Sequence, residues 1–509
     1  MDADVLIIGS GAGGGTLARA LADSGLRIMI LERGGYLPRE WGNWDPGVVF
    51  GEHRYHTKEQ WRDQDGKPFV PVTGYHVGGN TKFYGAAILR RREKDFHVRR
   101  HRDGLTRAWP IGYGDLARFY DQAEAWYFAH GLAGADPSEP ARGPYPFAPI
   151  PHEADVAQVD AALRARGLHP FPLPLALHRL EDDPGRSPCV RCPSCDGFPC
   201  MLHAKGDAEV CGVRHALKHE NVRLLTGQRV RRLVCSADGK RVERVETERG
   251  SFRARLIVLA AGAVNSAAIL LASASEQYPA GLANHSDQVG RNYMCHLNSA
   301  CMAIKPFREN RAVFQKTLAV NDFYEDSGNP DYPYPLGHIQ SLGKVTPGML
   351  HAQRPGLTIP VSAWVASHSV DWWLTTEDLP DPHNRVTLDA DGTIRLTWNP
   401  RNLESHKRLC HTWRRYLRAA GFFAVFFQVM NISATAHQVG TCRFGEDPRE
   451  NVLDRYCKTH DLDNLYVVDA SFMPSISAVN PSLTIMANAL RVGEHIGGRF
   501  QDGIHETGN

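Results

Sequence analysis

The sequence predicts an α/β chain with α+β character: a discontinuous Rossmann-like, dinucleotide-binding domain with an antiparallel-sheet domain inserted through it. Three observations predict this. A strand, a glycine-rich turn and a helix open the chain. A second strand, glycine turn and helix stands far downstream. Short, alternating, turn-bounded segments fill much of the remainder.

The opening turn is Gly9-Ser10-Gly11-Ala12-Gly13-Gly14. It leaves the apolar run 4–8 and enters residues 16–22, whose apolar spacing is helical and which Gly25 can end. Glycine at Gly9, Gly11 and Gly14 permits the tight turn and lets backbone approach a pyrophosphate, whose charge sits on the helix N-terminus. Residues 27–31 read as the next strand. Glu32 follows eighteen positions beyond Gly14, near where a ribose-binding carboxylate belongs. Glycine turns alone are common, but strand, turn, helix, strand and acid in this order predict a dinucleotide site.

Residues 221–233 alternate as a further strand of the same domain would. Run 255–261 then reads as a buried strand, followed by Gly262 and the helical run 264–271. Segments 313–320, 356–367 and 384–397 are short and turn-bounded, as strands of an antiparallel sheet would be.

With 509 residues, the chain exceeds what one core supports and calls for two domains. Hydrophobic residues make up 42%, charged residues 22%, and the net charge is +2, with no long basic tail. That balance argues against a nucleic-acid partner. Arg90-Arg91-Arg92, with Arg99, Arg100 and Arg102, reads as a solvated basic face. No apolar stretch reaches the roughly 20 residues of a membrane span, and the first strand starts without a secretory h-region before it. A cytoplasmic protein is the expectation.

Two runs near the C-terminus carry the chemistry. His437 opens HQVGTCRFG, and Asn480 closes VDASFMPSISAVN. With an ordinary pKa of about 6.5, an imidazole can be uncharged near neutral pH and take a hydroxyl proton. Asn480 can bond the same oxygen but cannot act as a base. It also stands where a helix N-cap belongs, with Pro481 at the first position of the helical run 482–495.

From the glycine motif through Gly78-Gly79-Asn80, Trp109-Pro110-Ile111 and Ala260-Ala261-Gly262-Ala263 to the block 437–495, the chain resembles the glucose-methanol-choline (GMC) oxidoreductases. Within that family it is more similar to the bacterial sugar-oxidising and pyranose-oxidase-like branch than to glucose oxidase. The resemblance implies FAD, a six-stranded substrate sheet and oxidation of an alcohol by hydride transfer to the flavin. It implies an FAD-binding domain over 1–100, 201–295 and 438–509, and a substrate domain over 101–200 and 296–437. His437 and Asn480 match the family's catalytic pair, and Pro481 leads the helix that faces the flavin. Gly78, Gly79, Asn80 and Thr81 match its flavin and pyrophosphate loop, Val230 its adenine contact, and Asp469 its acid near the ribityl chain. The run GNTKFYG lacks the histidine that bonds covalently to flavin in some relatives, which implies non-covalent FAD.

Cys189, Cys192, Cys195 and Cys200 place four of the eleven cysteines within twelve residues. The run begins like a ferredoxin motif, but its last spacing differs and Met201 replaces the proline. An iron-sulfur cluster, zinc, or a thiol or disulfide brace all remain open. The expected substrate is a sugar, glycoside or amino-sugar alcohol, with a bulky apolar alcohol, as in cholesterol-oxidase-like relatives, second. Tyr324, Tyr332, Tyr334, Trp364, Trp372 and Trp373 are either ring-stacking or core residues. The electron acceptor is oxygen, a quinone or a protein, and the other classes of reading are a non-redox lyase on the same fold and a noncatalytic electron-carrying or binding subunit.

Overall fold

The computed structural model describes residues 1–354, 356–434 and 436–502. Its parallel sheet runs in the order Val222–Leu225, Ile28–Leu31, Ala3–Ile8, Ala254–Leu259, Leu465–Val467. Parallel strands covered on both faces read as unbroken apolar runs, and Val5, Leu6 and Ile7 beside Leu256, Ile257 and Val258 are all buried. The strands come from well-separated stretches of chain, so the nucleotide-type domain is discontinuous, as predicted.

The helix Ala12–Leu21 begins within the glycine run, earlier than the spacing of 16–22 suggested, because the Gly15 N–H already closes a turn on the Gly11 carbonyl at 2.8 Å. Two glycines there answer to close approach. A Cβ on Gly13 would lie 1.7 Å from the Val468 carbonyl oxygen, and one on Gly14 would lie 2.0 Å from that of Gly9. The C-terminal helix Ser482–Gln501 packs against Ala12–Leu21, and Tyr113–Trp126 packs against the C-terminal helix in turn.

Residues 221–233 form two strands instead of one. Gly227, at φ 67°, turns the chain between Val222–Leu225 in the parallel sheet and Val230–Cys235, which pairs antiparallel with Val242–Thr247.

The inserted sheet is antiparallel and six-stranded: Ala424–Val429, Leu297–Ile304, Ser369–Thr376, His338–Ser341, Leu318–Val320, Phe171–Pro172. Helix Leu403–Ala419 covers one face, setting Leu409, Trp413 and Leu417 on Cys301, Ile339, Trp372 and Leu374. The Trp372 and Trp413 rings meet edge to face at 4.8 Å. Tyr324, Tyr332 and Trp372 are therefore core residues.

Three sequence expectations change here. Of 313–320, only Leu318–Val320 is strand. Segment 384–397 is a hairpin, Arg385–Leu388 with Ile394–Thr397, and it joins a separate four-stranded sheet with Trp61–Asp63 and Pro68–Phe69. Segment 356–367 runs into the helix Ile359–His368, which has Pro360 in its first turn and buries Ser362 and Ala366 at helical spacing.

Arg90, Arg91 and Arg92 do not form a solvated face: they are 3%, 1% and 2% exposed. Acids brought by other elements draw two of them in. Arg90 pairs with Glu124 at 2.7 Å and Asp121 at 2.6 Å, and Arg92 pairs with Asp136. Arg99 is likewise buried against Asp95, while Arg100 and Arg102 stay exposed.

Candidate active site

The strand ends of the parallel sheet gather the glycine loops. Gly78, at φ 95°, donates its N–H to Ser10 Oγ at 3.1 Å, and a Cβ on Gly79 would lie 3.1 Å from the Gly11 Cα. The 78–81 loop thus seats directly on the opening turn. Asn80 Oδ1 accepts the Gly74 N–H at 2.8 Å, and Thr81 Oγ1 accepts the Ala208 N–H at 2.9 Å. Glu32 accepts from Ser10 N–H and Oγ and from Gly34 N–H, so it shapes the turn while lone pairs remain for another donor. Asp469 accepts from Gly262 N–H at 3.0 Å, Ser266 Oγ and Ser471, tying together the ends of two strands; burial nevertheless pushes its carboxyl up. Val230 starts the first strand of the small antiparallel sheet and is buried.

His437 lies just before the short strand Gln438–Val439 that pairs with Met294–Cys295. His296 follows that partner strand directly. Its Nδ1 is 2.9 Å from His437 Nδ1, and its Nε2 is 2.8 Å from the Ser477 carbonyl oxygen. These contacts fix the protons. A carbonyl oxygen only accepts, so His296 Nε2 carries hydrogen. Burial, the neighbouring His437 and Arg91 push His296 well below its usual pKa, so it is neutral and its Nδ1 is an acceptor. His437 must then donate from Nδ1. Burial, with the charge of Lys316, pushes His437 down to about 4, leaving a neutral ring whose lone pair is on Nε2.

Sequence reasoning missed His296. Nothing in Met294-Cys295-His296-Leu297 sets it apart from the other histidines; only the pairing of Met294–Cys295 with Gln438–Val439 brings it to His437. Glu377 was missed as well. Fully buried, it accepts the Ser477 N–H at 2.7 Å and lies 3.2 Å from His101 Nε2. Burial alone would raise its pKa, but the adjacent His101 and the charge of Arg99 hold it below the usual carboxylate range.

Asn480 does not cap the C-terminal helix. No side-chain cap bond is present, Pro481 occupies the cap position, and Asn480 Oδ1 is buried without a partner. Ser477 Oγ, Ser482 Oγ and two guanidinium nitrogens of Arg91, Nε and Nη1, are buried and unpaired too. This line of unmet polar groups runs along residues 476–482 into the helix N-terminus.

The cysteine loop lies beside this site but is arranged differently from a metal centre. All four cysteines are free thiols, and among the described residues no three His, Cys, Asp or Glu side chains converge to hold a metal ion. Burial pushes Cys189 up to about 11 and Cys195 up to about 12. The loop's contacts run through other atoms. Gly197 N–H reaches the Phe83 carbonyl at 2.9 Å, Lys205 Nζ binds the Cys195 and Phe198 carbonyls at 2.8 Å, and Asp196 takes Gly343 N–H and the Lys316 ammonium. These contacts join the 78–83 loop to the segment that follows the substrate-sheet strand His338–Ser341.

A discontinuous nucleotide-binding sheet, an inserted antiparallel sheet and a buried contact between two histidines make up the architecture and the site. Models of the GMC oxidoreductase family match residues 3–298 and 380–489, and the chain belongs to that family. It is 32% identical to paromamine 6'-oxidase of Streptomyces fradiae, over 97% of this chain and 91% of the relative. The 6'''-hydroxyparomomycin C oxidase of Streptomyces lividus is equally similar, at 32% over 97% and 91%. Fructose dehydrogenase large subunit of Gluconobacter japonicus is 24% identical over 97% and 98%. The fold is that of pyridoxine 4-oxidase from Mesorbium loti, with a TM-score of 0.67 and 20% identity over 99% of this chain and 100% of that one.

The residues present fit the family's FAD. A Cβ on Gly11 would meet no protein atom nearer than 3.9 Å, and one on Gly262 would meet none within 4 Å, so both turns leave backbone accessible where protein packing does not demand glycine for space. Ser482 Oγ, buried without a partner in the first turn of the C-terminal helix, is a polar group that a bound FAD would satisfy. Among the described residues, no helix is long and apolar enough to cross a membrane.

Proposed function

We propose that the chain oxidises a hydroxyl of a sugar, glycoside or amino sugar, with His437 as base and Asn480 as the partner that orients the alcohol. The observation that carries this is the 2.9 Å contact between His296 Nδ1 and His437 Nδ1, which sets a neutral His437 with its basic lone pair on Nε2. Gly9, Gly11, Gly14, Glu32, Gly78, Gly79, Asn80, Thr81, Val230, Gly262, Asp469 and Pro481 would hold non-covalent FAD, which when bound would supply the hydride acceptor. His437 Nε2 takes the hydroxyl proton, and the Ser477 carbonyl holds His296 so that His437 Nδ1–H stays donated away from the substrate. The side chain of Asn480, whose Oδ1 is buried without a partner in the chain, can donate from its amide nitrogen to the substrate oxygen as charge develops there.

The relatives named for paromamine and hydroxyparomomycin support an amino-sugar alcohol as first choice, and their description as oxidases favours oxygen as acceptor. A bulky apolar alcohol is the second reading. A cavity of about 300 Å³ lined by Leu297, Leu396, Trp398, Leu403 and Ile432 adjoins the residue after His296 and would suit one. The test is anaerobic bleaching of the flavin absorbance by aminoglycosides, simple sugars and sterols, with peroxide measured on readmitting air. Bleaching by sterols alone would select the second reading. A flavin that stays oxidised with every alcohol, while a cyanohydrin is cleaved, would point to a lyase.

A further inference from the structure

Among three consecutive buried arginines, Arg91 differs in charge balance. Arg90 has Glu124 and Asp121, and Arg92 has Asp136; Arg91 has no carboxylate in ion-pair reach among the described residues. Its Nη2 donates to the Ile476 carbonyl at 2.8 Å and contacts Met473 Sδ at 3.1 Å, and the guanidinium carbon lies 4.5 Å from the centre of the Trp109 ring. Nε and Nη1 bond to nothing. Burying a cation with neither a counter-charge nor its full set of hydrogen bonds is costly. A fold that holds one rigidly has a use for the charge.

The location narrows the use. Arg91 grips Ile476, the next residue's carbonyl holds His296, and Asn480 and the helix N-terminus follow within the same segment. The opening glycine turn, where a pyrophosphate would sit, is a different part of the site. Arg91 is also near enough for its charge to bear on His296 and on Tyr120, whose hydroxyl meets Thr484 in the first turn of the C-terminal helix. We infer that Arg91 is the fixed positive charge that offsets the negative charge arriving on the redox ring of the bound cofactor. In alcohol oxidation two electrons and one proton reach the ring as hydride, and the other proton goes to His437, so the ring gains one negative charge. Arg91 would stabilise that charge alongside the helix N-terminus.

The inference rests on the FAD-dependent reading, and the two fail differently: protein purified without flavin overturns the reading. In holoenzyme free of substrate, Arg91→Met should retain oxidised FAD but make ring reduction roughly a hundredfold less favourable, a drop of about 60 mV for a two-electron couple. Arg91→Lys should recover most of it. A midpoint potential in Arg91→Met within about 10 mV of wild type, a change of about twofold in the reduction equilibrium, overturns the proposal. If that variant does not fold, wild-type enzyme decides. Uptake of one proton per two electrons near neutral pH, a slope of about 30 mV per pH unit, supports a ring held anionic, whereas twice that slope overturns it.

Discussion

Glu377 fixes His296 without touching it. Its carboxylate accepts the Ser477 N–H at 2.7 Å, and the carbonyl of the same residue accepts His296 Nε2–H at 2.8 Å. Ser477 has φ 56°, a left-handed conformation that a serine adopts only when its surroundings impose it. Glu377→Ala removes that restraint and leaves a buried N–H unpaired, at a cost of about 1–3 kcal/mol. The relay then loosens, and kcat falls on the order of 10²-fold with KM little changed. Glu377→Gln keeps an acceptor oxygen for Ser477 and should recover much of the loss. Steady-state kinetics on both variants check this, and equal losses in kcat and KM would reject a positioning role.

The histidine pair predicts how the enzyme responds to acid. With neutral His437 as the proposed base and its pKa pushed down to about 4, kcat/KM should stay level from pH 7 to about 5 and fall as pH passes through about 4. Stability behaves differently. His338, His406 and His437 are each depressed to about 4 in the folded chain, while unfolded histidines protonate near 6.5. Between those values the unfolded state binds more protons, so stability is lost as pH falls through that window, by up to about 1.4 kcal/mol per pH unit for each histidine. Melting temperatures at pH 7 and pH 5 measure it; no decrease on acidification would contradict burial of these rings as neutral species.

Two glycines of one loop should separate folding from cofactor binding. Gly13→Ala forces a Cβ to within 1.7 Å of a carbonyl oxygen and should prevent a stable fold. Gly11→Ala meets no protein atom closer than 3.9 Å, so the protein should fold with its flavin-free melting temperature unchanged. Its affinity for FAD should nonetheless fall at least tenfold, because the added methyl stands where backbone would approach the pyrophosphate. Flavin content and apoprotein melting curves distinguish the two, and wild-type FAD affinity in Gly11→Ala would remove the turn from the cofactor site.

The legible parts of the sequence are those whose cause is local. The glycine turn, the apolar runs of the parallel strands and Glu32 announce themselves because backbone geometry and burial act over a few residues. His437 was readable through its family context. His296 was not, since a strand pairing with a partner far along the chain is what brings it to His437. The arginine run misled for the same reason: its counter-charges Asp121, Glu124 and Asp136 belong to segments whose approach no charge pattern encodes. Asn480 looked like a cap because Pro481 suits a first helical turn, yet the segment 476–482 is held instead by Arg91 and Glu377, and its side-chain oxygen is left unpaired.

The cysteine loop yields the last prediction, because two accounts of it diverge on substitution. If the thiols held a metal, Cys192→Ser would strip it and change the visible spectrum. As a brace, the loop acts through Asp196, whose carboxylate takes the buried Lys316 ammonium and the Gly343 N–H, while the Gly85 backbone packs so closely that a Cβ there would lie 1.8 Å from Lys316 Nζ. Cys192→Ser should therefore keep its flavin, activity and spectrum. Asp196→Ala should lose about 3–5 kcal/mol, since it leaves a buried lysine without its counter-ion. It should also depress His437 further, because the charge of Lys316 already lowers that histidine and would no longer be offset. Iron and zinc analysis of wild-type protein, with melting curves and pH profiles of both variants, tests the brace. Stoichiometric metal lost in Cys192→Ser would overturn it.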